Sequence, residues 1–500
     1  MSYLHVPKEI SLATLKAANS SLSAGMYKRV EIPTSSTKPV RDLIEGYDKG
    51  SDPGSMYYLR HSTHHFIRTK ALQDHSCLIY PKGGAIAPIS PRVFEDLQLS
   101  DGDIIMSKDS NVGECAIING SGWKNHMLSG GVVRIRPRIN RYYFFSFLKH
   151  NLFREDLTAR VPRGATIKHA NELWLDCAIP FPAGANSERV TKYVSALMQS
   201  IVEKEIAIRA KNDSINSKIE NELLSGQVGS PYAFSHPTLA EIRSQKRFDA
   251  AIYSESYKRE AFLISNYKFG AANYDDMGFD IGRGQNLQIT SIGQSIYSDH
   301  PRSDFYRLVA PTDISEFRTV ESFRYLGNKR KLEVVKKGDV IFGAEGFGKG
   351  RCIILVDEQH RTISNIHGVI FHPRDGSMTK GIFLGCFLGY LRRKGIVDAV
   401  GAGGSGGSLA IGYLNKVLIP NFSEEIQEEI STLYHFEEPC PNGSPTLATF
   451  VSWHREWNEK LGIWELDREM KVLQRTLRDV QDKIIEGSDV ALPSWAVDDL

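Results

Sequence analysis

The sequence has little cysteine and no long apolar run. Its six cysteines among 500 residues show no CxxC spacing, which argues against a zinc module and against a disulfide framework. No apolar run reaches the roughly 18 residues that a membrane span needs, and the opening MSYLHVPKEI lacks the regions of a signal peptide. We therefore expect a cytoplasmic protein that does not contact membranes.

An excess of charge of either sign is also lacking. The net charge is +2, with 41% hydrophobic and 24% charged residues, values that exclude disordered and fibrous classes. A local basic surface can still be hidden in a neutral total. Five hundred residues are enough for two or more domains with separate cores.

What the sequence does contain is an internal duplication. Four segments of the first half recur in the same order about 230 to 240 residues later, with an offset that drifts only by loop-sized amounts. The matched pairs are Ser11–Tyr27 with Thr238–Tyr253, Gly102–Ile118 with Gly338–Leu355, Gly131–Arg138 with Gly368–Arg374, and Leu175–Pro182 with Asn415–Phe422. The duplication predicts a pseudo-twofold protein that performs one task at two places.

Each half ends in a pattern typical of a long helix. The apolar residues have coiled-coil spacing and are Val194, Ile201, Ile208 and Ile215 in the first half, and Leu466, Met470, Leu473, Leu477, Val480 and Ile484 in the second. The stretch Pro439–Pro445 interrupts the second pattern. We expect two antiparallel partner helices, in which some forty residues would span roughly 60 Å. Amphipathic helices that pack only on their own domains are the alternative.

The remaining segments read as mixed α/β with many short strands. Predicted strands are Met56–Arg60, Asp103–Ser107, Glu114–Ile118 and Gly131–Arg136, and predicted helices are Tyr143–Phe153 and Ile382–Arg393. Each helix precedes a polar loop and a final strand.

The order of these elements resembles the specificity (S) subunit of Type I restriction-modification systems. The resemblance is carried by GDIIMSKDSNVG and GDVIFGAEGFGKG, which match a strand-turn element, and by AIPFPAGANSERV and LIPNFSEEIQEEI, which match a strand-to-helix junction. It implies two target-recognition domains joined by two long helices: domain 1 at 1–185, a spacer helix at 186–226, domain 2 at 227–422, and a second helical region at 423–500.

The resemblance also implies function and partners. Each target-recognition domain of an S subunit reads one half of a split DNA sequence, and the helices fix the spacing and bind methyltransferase subunits. For this chain it implies double-stranded DNA and two methyltransferase (M) subunits as partners, with restriction/translocase (R) subunits in a complex that has a nuclease. A modification-only or other phage-defence complex is the alternative within the same class.

Two glycine-rich segments imitate nucleotide-binding motifs. Gly343–Gly350 nearly matches the phosphate-binding loop, but Gly350 stands where a hydroxyl should bind magnesium, and a strand pattern follows where a helix is required. A glycine-rich hairpin is the favoured interpretation, and a nucleotide-binding enzyme is the alternative from a different class. Gly401–Ser408 follows a helix, not a strand, so it is either a close backbone approach to a large ligand or a flexible loop.

No catalytic or metal motif is found in the sequence. His61, His64, His65 and His75 lack the cysteine or carboxylate spacing that would complete a metal site. The motifs for adenine methylation, a glycine-rich loop for S-adenosylmethionine and the carboxylate pattern of a nuclease are all missing. We therefore expect a non-catalytic subunit with no metal and no cofactor.

Basic residues at turns and strand ends are the candidates for DNA contact. A segment from Glu321 to Arg351 interleaves cations with aromatic residues, which suits phosphate contact, although a solvated basic loop is the alternative. The candidates are Arg60, His61, Lys108, Lys124, Asn125, Arg163 and Lys168 in the first half, and Arg324, Lys329, Arg330, Lys331, Lys349 and Arg351 in the second. Sequence does not sort them into base readers and phosphate contacts.

The missing motifs generate a first prediction. The purified chain alone should show neither methyl transfer nor nucleotide hydrolysis, because it lacks the residues that either reaction needs. Incubation of a homogeneous preparation with methyl donor and duplex, and separately with ATP, checks this expectation. Robust turnover in either assay would contradict it.

Overall fold

The computed structural model describes most of the chain. The described residues are 2–17, 22, 27–81, 83–161, 169–320, 323–358, 361–401, 407–414, 416–441 and 443–497, with the backbone alone for Phe347. They form two compact units. The first unit comprises the described residues up to 206 with 440–459 and 468 onwards, and the second comprises 207–439 with 460–467. The target-recognition boundaries expected from sequence stay a prediction.

The first unit is a mixed α/β structure. Its strands are β1 Leu4–His5, β2 Arg29–Val30, β3 Thr37–Pro39, β4 Ile44–Lys49, β5 His64–Ile67, β6 Ile86–Ile89, β7 Ile104–Ser107, β8 Cys115–Ile117, β9 His126–Leu128, β10 Val132–Pro137 and β11 Ala178–Pro180. Its short helices are α1 Leu12–Ala17, α2 Val40–Leu43, α3 Arg141–Lys149 and α4 Asn151–Arg160. The long helix α5, Ser187–Ser225, contributes residues to both units.

The second unit is built from the same kinds of elements. Its helices are α6 Leu239–Gln245, α7 Glu255–Ser265, α8 Ile289–Ile292, α9 Met378–Arg393, α10 Ile396–Val400, α11 Ile411–Leu414 and α12 Glu424–Tyr434. Its strands are β12 Ala271–Ala272, β13 Phe279–Arg283, β14 Ser295–Ser298, β15 Tyr306–Val309, β16 Arg324–Asn328, β17 Val340–Gly343, β18 Cys352–Ile354, β19 Thr362–Ser364, β20 Gly368–Pro373 and β21 Ile419–Pro420. Helices α13 Phe450–Lys460 and α14 Ile463–Glu486 follow.

The sheets repeat their topology from one unit to the other. A four-stranded antiparallel sheet has the order β4-β10-β7-β8 in the first unit and β13-β20-β17-β18 in the second. A smaller sheet contains a parallel pair in each case, β5 with β9 and β15 with β19. The strand leading into each long helical region pairs with an early strand, β11 with β3 and β21 with β12. The duplication in the sequence is therefore a duplication of fold.

The central sheet of the first unit is covered on both faces. Since side chains alternate along a strand, Ile104 and Met106 of β7 pack in a core with the aromatic residues of α3, such as Phe144. Ile105, between them, packs in a second core with Ile67 of the smaller sheet. All four residues of β7 are buried, which explains why this segment is apolar without alternation.

The same hydrogen bonds begin the central hairpin in both units. The Gly102 N–H donates to the Ile118 carbonyl at 2.8 Å, and the Gly338 N–H donates to the Leu355 carbonyl at 2.8 Å. Both glycines have positive φ, 83° and 88°, a conformation that a side chain disfavours. The shared glycine at each strand start is thus explained by backbone geometry.

The two seams predicted from sequence are largely buried. In α5, Val194, Ile201, Ile208 and Ile215 are each at most 2% exposed. In α14, Leu466, Leu473, Leu477, Val480 and Ile484 are buried and Met470 is partly buried against the same core. Within the first unit, Tyr193 near the start of α5 contacts Trp495, nine residues after the end of α14, while Lys204 further along α5 lies near Glu469 at the start of α14, an order that fits antiparallel helices.

The second unit repeats this antiparallel arrangement with a different helix. Lys218 of α5 forms an ion pair with Glu429 of α12. Further along α12, the Tyr434 hydroxyl donates to the Arg318 carbonyl at 2.6 Å, and the Arg318 guanidinium reaches Asn212, earlier in α5. The break at Pro439–Pro445 therefore separates two helical segments, of which α12 packs in the second unit and most of α14 in the first.

Three details differ from the sequence prediction. Met56–Arg60 is not a strand, because a 3-10 turn at Ser55–Tyr57 follows Gly54, whose φ is 79°. Tyr143–Phe153 is not one helix, because His150 is extended between α3 and α4 and its ring accepts a hydrogen bond from the Leu152 N–H at 3.2 Å. Helix α13, which packs beside α5 through Phe450, was not predicted.

No helix among the described residues is long and apolar enough to cross a membrane. The cysteines are all free, and five are buried while Cys440 is exposed. Burial raises the pKa of the Cys115 thiol to about 12, so this side chain serves as a small apolar group.

The contacts of α5 with the first unit generate a stability prediction. Glu205 is buried, and its carboxylate accepts from the Ser76 hydroxyl at 2.6 Å and from the Cys77 N–H at 2.7 Å. Glu205→Ala leaves these buried donors without that acceptor, so we expect a loss of about 1–3 kcal/mol in the unfolding free energy, measured by urea denaturation.

The neighbouring Glu203 provides the matched control. Its carboxylate pairs with Arg455, whose side chain is 59% exposed, so Glu203→Ala should change stability by less than about 1 kcal/mol. Equal effects of the two substitutions would show that burial of Glu205 contributes nothing.

Candidate nucleic-acid interface

A glycine turn follows strand β7 in the first unit and the equivalent strand β17 in the second. The Gly113 N–H donates to the Ser107 carbonyl and the Gly350 N–H donates to the Gly343 carbonyl, both at 2.8 Å. The two turn glycines have φ of 87° and 75°. A Cβ on Gly350 would lie 2.9 Å from the Arg392 side chain, so the turn needs glycine for space as well as for conformation.

The turn in the second unit does not form a phosphate-binding loop. A 3-10 turn at Gly346–Gly348 leads into β18, which pairs antiparallel with β17. A phosphate-binding loop instead opens a helix whose N-terminal N–H groups hold the phosphate. Gly343–Gly350 is therefore a hairpin connection, as the sequence pattern favoured.

The late loop of each unit returns to this hairpin. The Ala170 N–H donates to the Lys108 carbonyl and the Leu409 N–H donates to the Ala344 carbonyl, both at 2.8 Å. Lys108 and Ala344 are the residues that directly follow β7 and β17. Residues 162–168 and 402–406, which include the candidates Arg163 and Lys168 and most of Gly401–Ser408, lie outside the described residues.

A carboxylate next to each return contact holds a histidine ring. Asp109 Oδ1 lies 2.8 Å from His169 Nδ1, and Glu345 Oε2 lies 2.8 Å from His367 Nδ1. Both histidine side chains are 56% exposed. The hydrogen bond with His367 is the largest factor that lowers the pKa of Glu345, so this carboxylate is ionised. Sequence reasoning missed all four residues, because each pair joins segments far apart in the chain.

A cation completes each of these clusters. Lys108 Nζ lies 3.4 Å from Asp109 Oδ2, and its side chain is 14% exposed. In the second unit Arg283, on β13, lies 3.5 Å from Glu345 Oε1 and also donates to the Ile366 carbonyl at 3.2 Å. Lys108 is thus a neighbour of a carboxylate and not an isolated surface cation.

Four candidates of the first unit are exposed at one end of its smaller sheet. Strands β5 and β9 are parallel, and the His65 N–H donates to the Asn125 carbonyl at 2.9 Å, so the segments entering both strands lie together. Arg60 and His61 precede β5, whereas Lys124 and Asn125 precede β9.

Two histidines inside this sheet stack on each other. The rings of His65 and His126 are 5.0 Å apart and nearly parallel, with Trp123 next to His126 at 4.9 Å. Burial is the main cause that lowers the pKa of His126 to about 4, so this ring is neutral at pH 7. No group of three potential metal-ligating side chains occurs among the described residues, and the expectation that the chain binds no metal stays an expectation.

The basic candidates of the second unit fall into two sets. Lys349 pairs with Asp398 at 3.1 Å, the Arg351 guanidinium donates to the Ile314 carbonyl at 2.8 Å, and Arg324 pairs with Asp313 at 3.1 Å. These contacts hold loops in place. Lys329, Arg330 and Lys331, just after β16, form the second set and are all exposed, and Arg330 donates to the Ser291 carbonyl at 2.7 Å.

An arginine that the sequence analysis did not select anchors the start of the second late loop. Arg247 is buried, stacks over Tyr413 and donates to the Val400 carbonyl at 2.6 Å, at the end of α10. Asp249 holds the same guanidinium at 2.7 Å. Arg247 therefore fixes the point where the chain leaves α10, and the contact of Leu409 with Ala344 fixes the point where it returns.

Comparison with known proteins found likeness only among solved structures. No protein-family model and no curated protein match the chain. The S subunit of a Type I restriction-modification system from M. genitalium is 11% identical, with 91% of this chain and 96% of that chain covered and a TM-score of 0.43.

Two further solved structures are also similar to this chain. A chain from work on complex assembly and conformational transition of the type I R-M system is 13% identical, with 92% and 100% covered and a TM-score of 0.28. The HsdS subunit from Thermoanaerobacter tengcongensis is 14% identical, with 91% and 97% covered and a TM-score of 0.26. Each of these likenesses covers more than 90% of this chain at an identity below 15%.

The exposed basic turn after β16 generates a binding prediction. Neutralising Lys329, Arg330 and Lys331 to Gln should weaken duplex binding and lower the slope of log affinity against log salt by roughly 0.9 for each phosphate that the variant no longer neutralises. Fluorescence anisotropy with a mixed-sequence duplex over a salt series measures both quantities.

An equal loss of charge elsewhere serves as the control. Lys337, Arg374 and Lys380 each pair with a carboxylate, so their replacement by Gln should change the salt slope less. The same slope for wild type and the Lys329–Lys331 variant would identify that turn as solvated surface.

Proposed function

We propose that the chain is the sequence-specific DNA-recognition subunit of a Type I restriction-modification complex, and that it reads a bipartite site. The observation that carries this proposal is the repeated unit, in which the same sheet order, the same hairpin turn and the same loop return occur twice. A protein with two copies of one surface is suited to a ligand that offers two similar places, as a duplex does at two half-sites.

Charge supports the choice of ligand. The net charge of +2 is small, yet exposed cations are gathered at single turns, with Arg60 and Lys124 at one sheet end and Lys329–Lys331 after β16. Clustered cations at loops contact phosphates, whereas base edges are read by side chains that enter a groove. The domains at 1–185 and 227–422 would then be the two target-recognition domains.

The subunit has a positional role in this proposal. It performs no chemical step and holds the duplex where a partner adenine methyltransferase flips the target base out of the stack. Two methyltransferase subunits and, in a complex with a nuclease, restriction/translocase subunits are the proposed partners. We propose that it acts in the cytoplasm, without metal or cofactor.

The test is an exchange of one unit's reading segment. Replacing Met26–Pro182 with the corresponding segment of a homologue should change one half of the sequence methylated in the host and leave the other half and the spacer unchanged. Methylome sequencing of hosts with the wild-type gene, the exchanged gene and no gene gives the result.

Two outcomes would contradict the proposal. A methylome that does not depend on the gene excludes a role in methylation specificity. A change in both half-sites after the single exchange excludes two independent readers.

A further inference from the structure

The two carboxylate–histidine pairs occupy the same place in the repeated unit. Asp109 and Glu345 are each the second residue after β7 or β17, and both lie in isolated β-bridges to the returning loop, Asp109 with His169 and Glu345 with Ser408. The carboxylate position is therefore common to both units.

The histidines come from different elements. In the first unit His169 stands in the returning loop, whereas Ser408 occupies that bridge position in the second unit and donates to Glu345 at 3.3 Å. The second unit takes its imidazole from His367, in the turn before β20. Each unit thus places an imidazole next to this carboxylate, but from a different element of the fold. Duplication alone therefore does not account for the presence of an imidazole in both units.

Stability does not explain these pairs. Both imidazoles are 56% exposed, and ion pairs at such exposure contribute little to folding because water and salt screen them. The pairing does fix the ring. A carboxylate that accepts from Nδ1–H sets the tautomer and the orientation of an imidazole and leaves Nε2 as its other polar atom.

The Nε2 atoms have the chemistry of a DNA contact. No hydrogen bond to Nε2 of either ring occurs within the described part of the chain. A neutral ring with Nδ1–H accepts at Nε2 from the amino group of adenine or cytosine, and a protonated ring donates there to phosphate or guanine. Lys108 and Arg283 lie near the carboxylate oxygen that the histidine does not contact, and they offset the negative charge of that carboxylate near a polyanion.

We infer that His169 and His367 are equivalent DNA contacts, one in each unit, and that Asp109 and Glu345 are their positioning residues. This inference rests on the proposed function and adds to it the contact in each unit. It also identifies in each unit a residue that was not among the candidates chosen from the pattern of charges.

Chemical modification of histidine tests the contact directly. Diethyl pyrocarbonate acylates exposed imidazole nitrogens, and mass spectrometry gives the rate at each histidine of the full chain, free and with saturating mixed-sequence duplex at low ionic strength. We expect the duplex to slow modification of both His169 and His367 several-fold.

A third carboxylate–histidine pair supplies the matched control. His372 Nδ1 lies 2.6 Å from Asp339 Oδ1, and Asp339 precedes β17, at the opposite end from Glu345. The modification rate of His372 should not change when the duplex binds. Binding of the duplex with no protection of His169 and His367, or protection of only one, overturns the inference and leaves the proposed function standing. Absence of duplex binding in the same titration contradicts the proposed function itself.

Two substitutions at each histidine distinguish a direct contact with DNA from a structural role of the ring. Gln places a polar group near the position of Nε2, and Asn places one near the position of Nδ1. If Nε2 contacts DNA, His169→Gln and His367→Gln retain more affinity than His169→Asn and His367→Asn, with thermal unfolding midpoints alike. The reverse order, or affinity that follows the unfolding midpoint, assigns the rings a supporting role and overturns the contact.

Asp109→Asn and Glu345→Gln test the positioning residues. An amide no longer favours the Nδ1–H tautomer through a charge, so the ring loses part of its orientation. We expect duplex affinity to fall and the protection of the paired histidine to weaken in each variant. Full protection in both variants would show that the carboxylates do not position the rings.

Discussion

The candidate interface depends on one backbone hydrogen bond, which occurs in both units. The Ala170 N–H donates to the Lys108 carbonyl, and the Leu409 N–H donates to the Ala344 carbonyl. Each bond ties the end of a late loop to the residue that follows a fully buried strand. A buried strand is the most rigid support available, because its side chains are packed on both faces. The exposed side chains next to the bond are therefore held in a defined position.

The units keep this backbone and differ in the side chains that it carries. Lys108 stands where the second unit has Ala344, and the cation beside the second carboxylate comes instead from Arg283 on another strand. Such exchange is expected of surfaces that read different sequences, because the scaffold sets where a side chain lies and the loops set its identity. Common geometry with different side chains is what the proposed function requires of two readers of different half-sites.

Helix α5 buries charged side chains as well as its apolar seam. The apolar residues of this seam are almost fully buried, and the charged residues Lys204 and Glu205 are buried beside them. Lys204 donates to Asn458 at 2.6 Å and lies 5.3 Å from the Trp457 ring, and burial lowers its pKa to about 8. Buried polar contacts of this kind favour one register over others, which apolar contacts alone specify weakly. Helix α13, which was not predicted, provides the partners of Lys204.

The sequence by itself determined the duplication, the buried strands of the central sheet and the apolar seams, because burial on both faces and regular spacing leave a local pattern of residues. It also argued against a phosphate-binding loop, since a strand pattern follows Gly350 where a helix is needed, and the structure has β18 at that place. Only the tertiary structure decided which cations hold loops, as Arg351 does, and which are exposed, as Lys331 is. The carboxylate–histidine pairs also required it, because Asp109 and His169 are far apart in the chain and no periodicity links their side chains. Contacts between distant segments arise from chain topology, which no local pattern records.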